Sequence, residues 1–372
     1  MVGNVVAIIL AAGFSERMDA FKPLLPLKGI TILERNITLF QEVGIEDVRV
    51  VTGHRGKELE PLLTRLGARA VPNPRYPEGM FSSVAAGVTT LGSEADAFFI
   101  LPVDVPLVRT ATIRRLLHFY RQEQREVIYP RFLGKRGHPP LIAGKHAREI
   151  SAWQGGGGLR EALAQLEPVA LDVDVVDENI LLDMDTPEDY KLMQVKVERL
   201  EIPTREECRV LLENVLCVAD KIIRHGRVVA QVATSLGLEL NRAGCYLDIP
   251  LLEAAGLLHD LAKGAPDHAR SGARILGEMG FGVVAELVDT HMDITIAEGE
   301  TISAKEVLYL ADKMVQGERR LATEERFRAK LERYAGDPDI LNMITGRLKT
   351  AMAIQKRIES ILGHPLAEVI ST

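Results

Sequence analysis

The hydrophobic pattern of this chain changes once, near residue 200, and this change limits the possible folds more than any other feature. Before it, short runs of β-branched residues alternate with amphipathic stretches, which is typical of βαβ units around a mostly parallel sheet. From Glu206 onward the strand signals disappear and helical segments rich in Leu, Ala, Val and Glu follow one another. We therefore predict an α/β domain with a Rossmann-like, mostly parallel sheet over residues 1–197 and an all-α domain over residues 205–372.

Local signals give approximate bounds for the elements of the first domain. Strands are predicted over residues 5–10, 47–52, 70–72, 97–102, 127–129 and 169–173. Helices are predicted over residues 33–43, 57–66 and 110–122, and from Pro187 toward Val197. Pro203 marks a linker, after which Thr204 and Glu207 are spaced as the capping box of the next helix.

Composition and charge exclude several classes of protein. With 372 residues, 47% of them hydrophobic and 26% charged, the chain is neither disordered nor fibrous. Its 45 Lys and Arg against 52 Asp and Glu give a net charge of -7, which argues against a general nucleic-acid-binding surface. The apolar stretch over residues 5–12 is too short for a membrane span or a secretory signal. The three widely spaced cysteines indicate neither a disulfide framework nor a zinc knuckle. We expect a cytoplasmic protein without a nucleic-acid or membrane partner.

The first predicted strand runs directly into a loop of small residues that is followed by basic ones. Residues 10–27 read LAAGFSERMDAFKPLLPL. A loop of this kind at the carboxyl end of the first strand lets backbone N–H groups approach phosphates, and Arg17 and Lys22 would add positive charge. Neither GxGxxG nor GxxxxGK[ST] occurs here, so the dinucleotide-binding fold and the P-loop lack their fingerprints. The segment predicts a different kind of phosphate-binding loop.

Residues 10–27 resemble the signature of the nucleotidyltransferases that activate sugars, isoprenoid precursors and the molybdenum cofactor, most closely the molybdenum-cofactor cytidylyltransferases. The resemblance implies the nucleotide-diphospho-sugar transferase type of fold and a loop that binds the triphosphate of CTP. It implies that Arg17 and Lys22 stabilise charge as pyrophosphate leaves. The Ala-Ala-Gly form is that of the cytidine-using members, which favours CTP over GTP. The loop residues that would contact the nucleotide are Leu10, Ala11, Ala12, Gly13 and Ser15.

Further segments match the same family in the same order. Two of them resemble the part that closes over the base and ribose, and their residues are Asn73, Gly79, Ser82 and Ser83. Asp104 resembles the aspartate that holds Mg²⁺ against the phosphates, and a carboxylate at the end of a strand suits this oxygen-liganded metal. His138, in Gly-His-Pro-Pro, resembles a histidine near the acceptor. Asp185 aligns with a second metal ligand, but an aspartate at a helix start is equally a helix cap.

The resemblance implies that a phosphate oxygen of the acceptor attacks the α-phosphorus of CTP in line and expels pyrophosphate. The protein then mainly holds two anions together and spreads the developing charge. The implied acceptor is molybdopterin, and the implied partner is a molybdoenzyme or its chaperone. The alternative acceptor is a sugar phosphate or another phosphorylated alcohol.

In the helical half, a His-Asp pair follows an almost wholly apolar segment. The pair His259–Asp260 would be costly to bury unless it binds a metal or is fully hydrogen-bonded. His225 lies upstream on a predicted amphipathic helix, and Asp312 lies at the end of a later apolar run. This order resembles the HD superfamily of metal-dependent phosphohydrolases, whose four matching residues bind one divalent metal.

Three more residues of this half extend the resemblance. His268 and His291 lie where some HD members hold a second metal, and Lys263 either contacts a phosphate or caps its helix. The pattern is closest to HD hydrolases of dinucleoside polyphosphates. Imidazole with carboxylate suits Mn, Fe, Co or Zn, which would activate water for attack on phosphorus. The alternative is a nucleotide-sensing module that regulates the transferase. The charged segment after Glu318 is predicted to be a solvated helical face.

Overall fold

A computed structural model describes residues 3–14, 16–18, 20–123, 125–296 and 301–366. The chain divides into two compact units, Met1–Leu200 and Glu201–Thr372. None of the described helices is both long enough and apolar enough to cross a membrane.

The first unit is built on an eight-stranded sheet that also confirms the predicted α/β class. The described strands of the unit, including two outside this sheet, are β1 (Val5–Ala11), β2 (Pro26–Leu27), β3 (Ile30–Thr31), β4 (Val48–Thr52), β5 (Arg69–Pro72), β6 (Ala97–Pro102), β7 (Val127–Phe132), β8 (Lys135–Arg136), β9 (Leu141–Ala143) and β10 (Ala170–Asp174). The order is β10-β7-β9-β6-β1-β4-β5, with β8 paired to β7, while β2 and β3 form a separate hairpin. Strand β9 is antiparallel to β6 and β7, and the pairs β1–β4, β1–β6, β4–β5 and β7–β10 are parallel.

The described part of this unit contains seven α-helices, and each of the four helices predicted from local signals is present with bounds shifted by a few residues at most. They are α1 (Ile32–Gln41), α2 (Glu60–Leu66), α3 (Met80–Thr89), α4 (Thr110–Glu123), α5 (Ala147–Ser151), α6 (Gly158–Ala164) and α7 (Pro187–Val197). Strands β1 and β6 are buried at every position, and their register pairs Leu10 with Pro102. The loops that follow these two strands therefore begin side by side.

The second unit is helical, as predicted for the HD half. Its helices are α8 (Arg205–Val210), α9 (Asp220–Arg242), α10 (Ile249–Leu258), α11 (His268–Glu278), α12 (Gly282–Asp289), α13 (Ala304–Lys313), α14 (Thr323–Arg333) and α15 (Pro338–Leu362). A π-helical turn, Leu211–Val215, follows α8. The predicted capping box of α8 is confirmed, because the side chains of Thr204 and Glu207 each accept the other's backbone N–H.

Two expectations for this half are wrong in part. Strands are not absent after Glu206, because β11 (Val315–Gln316) and β12 (Arg319–Arg320) form a short hairpin whose turn uses Gly317 at a φ of 60°. The segment after Glu318 is not merely a solvated face, because α14 buries Phe327 and α15 buries a stripe of apolar side chains. The buried residues of α15 are Ile344, Ala351, Ile354 and Ile358.

Helices α9 and α10 pack so closely that glycine is required where they meet. A Cβ atom on Gly256 would lie 2.5 Å from the Cα atom of Ala230, and one on Gly226 would lie 2.7 Å from the carbonyl oxygen of Leu257. This approach brings His225, one residue before Gly226, close to His259, which directly follows α10. Their ring centroids are 5.2 Å apart.

Candidate active sites

Two carboxylates converge on one lysine ammonium in the first unit. Lys22 Nζ lies 2.9 Å from Asp185 Oδ1 and 3.5 Å from Asp104 Oδ2, and an Nη atom of Arg17 lies 3.1 Å from Asp185 Oδ2. The Lys22 side chain is 10% exposed and that of Arg17 is 73% exposed. Lys22 thus lies within the floor of the site, whereas Arg17 extends into solvent above it.

The two carboxylates have unlike environments. Burial raises the pKa of Asp104, against the opposing charge of Lys22. The hydrogen bond from Lys22 is the main cause that lowers the pKa of Asp185. Carboxylate oxygens are the ligands that Mg²⁺ prefers, and those of Asp104 and Asp185 lie on either side of the Lys22 ammonium. These two residues therefore fit this metal.

The structure separates the two interpretations of Asp185. The cap of α7 is Thr186, whose hydroxyl accepts the N–H of Asp189 while the Asp189 carboxylate accepts the N–H of Thr186. The N–H of Asp185 also donates to Asp189 Oδ2, at 3.0 Å. The capping box therefore holds the backbone of Asp185 and leaves its side chain to the cluster with Lys22.

The loop of small residues borders a pocket of about 320 Å³. Of the residues assigned to the nucleotide, those that line it are Leu10, Ala11, Ala12, Gly13, Lys22, Gly79 and Ser83, together with Asp104. Asn73 Nδ2 donates to the hydroxyl oxygens of Ser82 and Ser83, both at 3.0 Å. Ser15 lies outside the described residues. A bound nucleotide would therefore meet backbone on one side and the start of α3 on the other.

A larger cleft of about 1240 Å³ adjoins the same carboxylates and is also lined by His138. Burial lowers the pKa of His138, and its Nδ1 has no hydrogen-bond partner among the described residues. Farther along the wall, the Arg136 guanidinium lies 4.1 Å from the centroid of the Tyr129 ring. The cleft leaves room for a second, larger substrate beside the nucleotide pocket.

In the second unit, three imidazoles are oriented by backbone carbonyls. The Nδ1 atoms of His225, His259 and His291 lie 2.9, 2.9 and 2.6 Å from the carbonyl oxygens of Gly317, Gly256 and Val288, respectively. A carbonyl only accepts, so each Nδ1 donates its hydrogen to the carbonyl, and Nε2 is the ring nitrogen that is left to bind a metal. The three rings are thus held in the tautomer that binds a metal through Nε2.

These Nε2 atoms converge on two carboxylates. Asp260 Oδ2 lies 3.8 Å from His225 Nε2 and 3.5 Å from His259 Nε2, while Asp260 Oδ1 lies 3.2 Å from His268 Nε2 and 3.6 Å from His291 Nε2. Asp312 Oδ1 lies 3.3 Å from His225 Nε2 and 3.7 Å from His259 Nε2. Asp260 therefore places one oxygen beside each of two adjacent groups of imidazole nitrogens, so these residues would be able to hold one or two metal ions.

The burial of this cluster also fits a metal centre. His259 is fully buried, and its Nε2 has no hydrogen-bond partner among the described residues. Burial acts to raise the pKa of Asp260 and of Asp312, but the surrounding histidines and lysines outweigh it and hold both pKa values well below the ordinary range. Imidazole nitrogens with ionised carboxylates are the donor set of Mn, Fe, Co or Zn.

Comparison with known proteins accounts for both units. Residues 7–169 match the MobA-like NTP transferase domain, and residues 222–316 match the HD domain. A molybdenum cofactor cytidylyltransferase of Escherichia coli (strain K12) is 30% identical over 184 residues, which are 49% of this chain and 92% of that protein. The chain belongs to the MobA-like NTP transferase family. Its second unit contains an HD domain.

Two other similarities fall in the transferase half. A bifunctional IPC transferase and DIPP synthase of Rubrobacter xylanophilus is 38% identical over 120 residues, which are 31% of this chain and only 27% of that protein. The solved structure of a nucleotidyl transferase from Methanothermobacter is 25% identical, with a TM-score of 0.46, and the match covers 52% of this chain and 98% of that one.

The structure brings the sequence-predicted residues into two clusters. The first holds Arg17, Lys22, Asp104 and Asp185. The second holds His225, His259, Asp260, His268, His291 and Asp312, with Lys263 paired to Asp260. Lys263 thus contacts a proposed ligand rather than only the end of its helix.

Sequence reasoning missed two contributors to the second cluster. The carbonyl of Gly317 orients His225, and Arg326 reaches Asp312 from α14. A backbone carbonyl leaves no signal in a sequence. Arg326 lies among many charged residues, and its spacing does not distinguish it from its solvated neighbours.

Proposed function

We propose that the first unit transfers the cytidylyl group of CTP to molybdopterin or the molybdenum cofactor and releases pyrophosphate, with Mg²⁺ as its metal. The observation that carries this proposal is the position of Lys22 between Asp104 and Asp185, where Lys22 and Asp104 line the small-residue pocket. The choice of CTP and of the acceptor is supported by the similarity to the cytidylyltransferase of E. coli.

In this proposal Asp104 and Asp185 hold Mg²⁺, which when bound neutralises part of the phosphate charge. Lys22 and Arg17 contact the triphosphate from the floor and from the solvent side. As the acceptor's phosphate oxygen forms its bond to the α-phosphorus, the bond to pyrophosphate breaks and pyrophosphate leaves with the electron pair. The two fixed cations stabilise the charge that gathers on this leaving group.

The transfer is tested with CTP or GTP labelled at the α-phosphate, incubated with Mg²⁺ and either molybdopterin or a sugar phosphate. We expect label from CTP to enter molybdopterin with release of pyrophosphate. Absence of transfer to molybdopterin contradicts the proposed acceptor, and preference for GTP contradicts the proposed base. Transfer to another phosphorylated alcohol instead would favour the second acceptor class, which the similarity to the IPC transferase makes worth including.

We propose in addition that the second unit hydrolyses phosphoanhydride or phosphoester bonds, with dinucleoside polyphosphates as its substrates. The observation in its favour is the convergence of four Nε2 atoms on Asp260 and Asp312. His225, His259, Asp260 and Asp312 would hold one metal, and His268, His291 and Asp260 a second. Such metals, when bound, supply a nucleophile from water at neutral pH.

Hydrolysis is tested by metal analysis of the purified protein and by release of nucleotides from a dinucleoside tetraphosphate. We expect one or two transition-metal ions per chain and metal-dependent cleavage. A protein that binds no metal at this cluster and cleaves no substrate would contradict the proposal and would favour a nucleotide-sensing role.

We further propose a cytoplasmic location, with a molybdoenzyme or its chaperone receiving the cofactor. The cysteines support a reducing compartment, because all three are free in the structure: Cys208, Cys217 and Cys245.

A further inference from the structure

Helix α14 carries two basic side chains to the edge of the metal-ligand cluster. Arg326 and Lys330 are four residues apart and so lie on the same face of α14. Arg326 Nε donates to the carbonyl oxygens of Val315 at 2.6 Å and Asp312 at 3.3 Å, and Arg326 Nη2 lies 3.8 Å from Asp312 Oδ1. This helix lies beyond residue 316, where the match to the HD domain ends.

The donors of these two side chains are available to a ligand. The Arg326 side chain is only 12% exposed, and within the described part of the chain no hydrogen bond uses its Nη1 or Nη2. The ammonium of the exposed Lys330 has neither a hydrogen bond nor an ion pair with any described residue. Arg326 is therefore anchored through Nε, with its two remaining NH₂ groups beside the cluster.

A third cation lies at the same edge. Lys263 pairs with Asp260 Oδ2, and its side chain remains 52% exposed. Partial burial lowers the pKa of Lys330, and the charges of Arg326, Lys313 and Lys263 contribute to this. Asp312 already pairs with Lys313, at 2.8 Å. Positive charge is thus concentrated beside the cluster, which favours the binding of an anion there.

We propose that Arg326, Lys330 and Lys263 bind the phosphate chain of the substrate beyond the phosphate that is cleaved, and so select organic polyphosphates over monophosphates. A guanidinium whose two NH₂ groups make no hydrogen bond within the described part of the chain matches the geometry of phosphate oxygens, although Nη2 also faces Asp312, and lysine adds a point charge one helical turn away. Because Lys330 lies one helical turn from Arg326, a chain of phosphates offers an anionic group to each of these side chains, whereas a single phosphate offers only one. This inference rests on the proposed hydrolytic function and names the substrate class of that site.

The test measures binding rather than turnover. Inorganic tripolyphosphate and inorganic phosphate are titrated calorimetrically into the full chain loaded with Mn²⁺. All proteins carry Lys22→Ala, because the transferase site is also proposed to bind phosphates. The variant is Lys330→Ala, whose side chain makes no hydrogen bond within the described structure. The matched control is Arg328→Ala, since Arg328 is exposed on α14 two residues from both Arg326 and Lys330, and therefore on the opposite face.

We expect Lys330→Ala to weaken tripolyphosphate binding about tenfold, as for the loss of one hydrogen bond to a charged group, and to change phosphate binding less than about twofold. Arg328→Ala should change neither. Equal tripolyphosphate affinities for Lys330→Ala and Arg328→Ala would overturn the inference. If the protein binds tripolyphosphate through Lys330 but cleaves no dinucleoside polyphosphate, the binding site stands and the proposed hydrolysis fails.

Discussion

Lys22 is the side chain on which the transferase site depends. It is almost fully buried, and its ammonium is held between two carboxylates that would otherwise repel each other. A metal that binds Asp104 and Asp185 would free this ammonium to contact the nucleotide's phosphates. The same residue thus balances the charge of the two carboxylates and, in the proposed reaction, stabilises the charge on the leaving group.

We expect Lys22→Ala to reduce the rate of nucleotidyl transfer about a hundredfold or more, because a fixed charge aimed at the leaving group is lost. Hydrolysis by the second unit should be unchanged. Both rates are measured on the same preparation, with Lys57→Ala, the loss of an exposed lysine in the same unit, as the control. Undiminished transfer in Lys22→Ala would contradict the assignment of this loop to the triphosphate.

His259 is the most deeply buried histidine of the metal-ligand cluster in the second unit. It is fully buried, with its Nδ1 bonded to the carbonyl of Gly256 and its Nε2 directed toward Asp260 and Asp312. Of the described imidazoles, it is the one whose Nε2 is buried without a hydrogen-bond partner. A side chain in this position binds a metal or leaves a polar atom unsatisfied.

We expect His259→Ala to abolish metal-dependent hydrolysis and to lower the metal content of the purified protein, while nucleotidyl transfer is retained. The measurements are elemental analysis, nucleotide release and transfer of labelled CTP. His118→Ala removes an exposed imidazole of α4 and should leave all three unchanged. Loss of transfer together with hydrolysis in a folded His259→Ala protein would show that the two sites are not independent.

Some residues of these two clusters could be predicted from the sequence, and others could not. His259, Asp260 and Lys22 lie in short motifs whose order matches known families, so they could be predicted from the resemblance. Arg326 carries no such signal, because its contact with Asp312 depends on how α14 folds back along the unit. The sequence left Asp185 open between a helix cap and a metal ligand; the structure gives the cap of α7 to Thr186, and the role of Asp185 as a ligand stays a prediction.

Among the secondary-structure elements, the pair α9 and α10 determines the geometry of the HD centre. His225 lies on α9 and His259 directly follows α10, and backbone contact at Gly226 and Gly256 sets the distance between the two rings. No side chain larger than hydrogen fits at Gly256, because the Cα atom of Ala230 would lie 2.5 Å from the added carbon. The cluster therefore depends on packing as well as on its ligands.

We expect Gly256→Ala to separate α9 from α10, to destabilise the second unit by about 1–3 kcal/mol and to weaken metal binding about tenfold or more. Gly346→Ala is the matched control, because this exposed glycine of α15 has no atom within 4 Å of an added Cβ. The control should be stabilised by about 0.5–1 kcal/mol, as for Gly to Ala in an open helix. Chemical unfolding and metal titration measure both effects, and equal behaviour of the two variants would contradict the packing argument.

Most of the longer elements could be predicted from the sequence, whereas several of the shortest strands could not. Helices α1 and α4 show enough turns of apolar spacing to be found in the sequence, and α7 is indicated by Pro187 at its first position. The strands β8, β9, β11 and β12 have two or three residues each, too few to show an alternating pattern. Their positions follow from pairing with distant strands or from a tight turn, which only the folded chain provides.

At the scale of the whole molecule, the chain is acidic overall and yet carries two clusters that we propose to bind phosphates. Because the net charge is -7, an anion is not attracted by the surface as a whole, and the cations that bind it must be grouped at these clusters. In each, a few cations lie among carboxylates that suit a metal: Lys22 and Arg17 in the first unit, and Lys263, Arg326 and Lys330 in the second. The anion is therefore drawn to a small region and not to a general basic surface.

Because each unit has its own core and its own cluster, metal removal should affect their stabilities differently. The HD cluster buries Asp260 and Asp312 beside imidazoles. A transition metal that binds this cluster only in the folded state raises the free energy of unfolding, and the increase grows with the logarithm of the metal concentration divided by its Kd. At a metal concentration a hundredfold above the Kd, this stabilisation is about 2.7 kcal/mol. For a unit of this size the corresponding shift in Tm is roughly 5–10 °C.

We therefore expect a chelator to lower the Tm of one calorimetric transition of the full chain by roughly 5–10 °C, and Mn²⁺ to restore it. The affected transition is assigned by His259→Ala, which should already unfold at the lower temperature and should not respond to chelator or Mn²⁺. The other transition should respond to CTP with Mg²⁺ in the parent and not in Lys22→Ala. A chelator shift of equal size in His259→Ala would mean that the stabilising metal lies elsewhere, because the loss of this buried ligand would then have no effect on it.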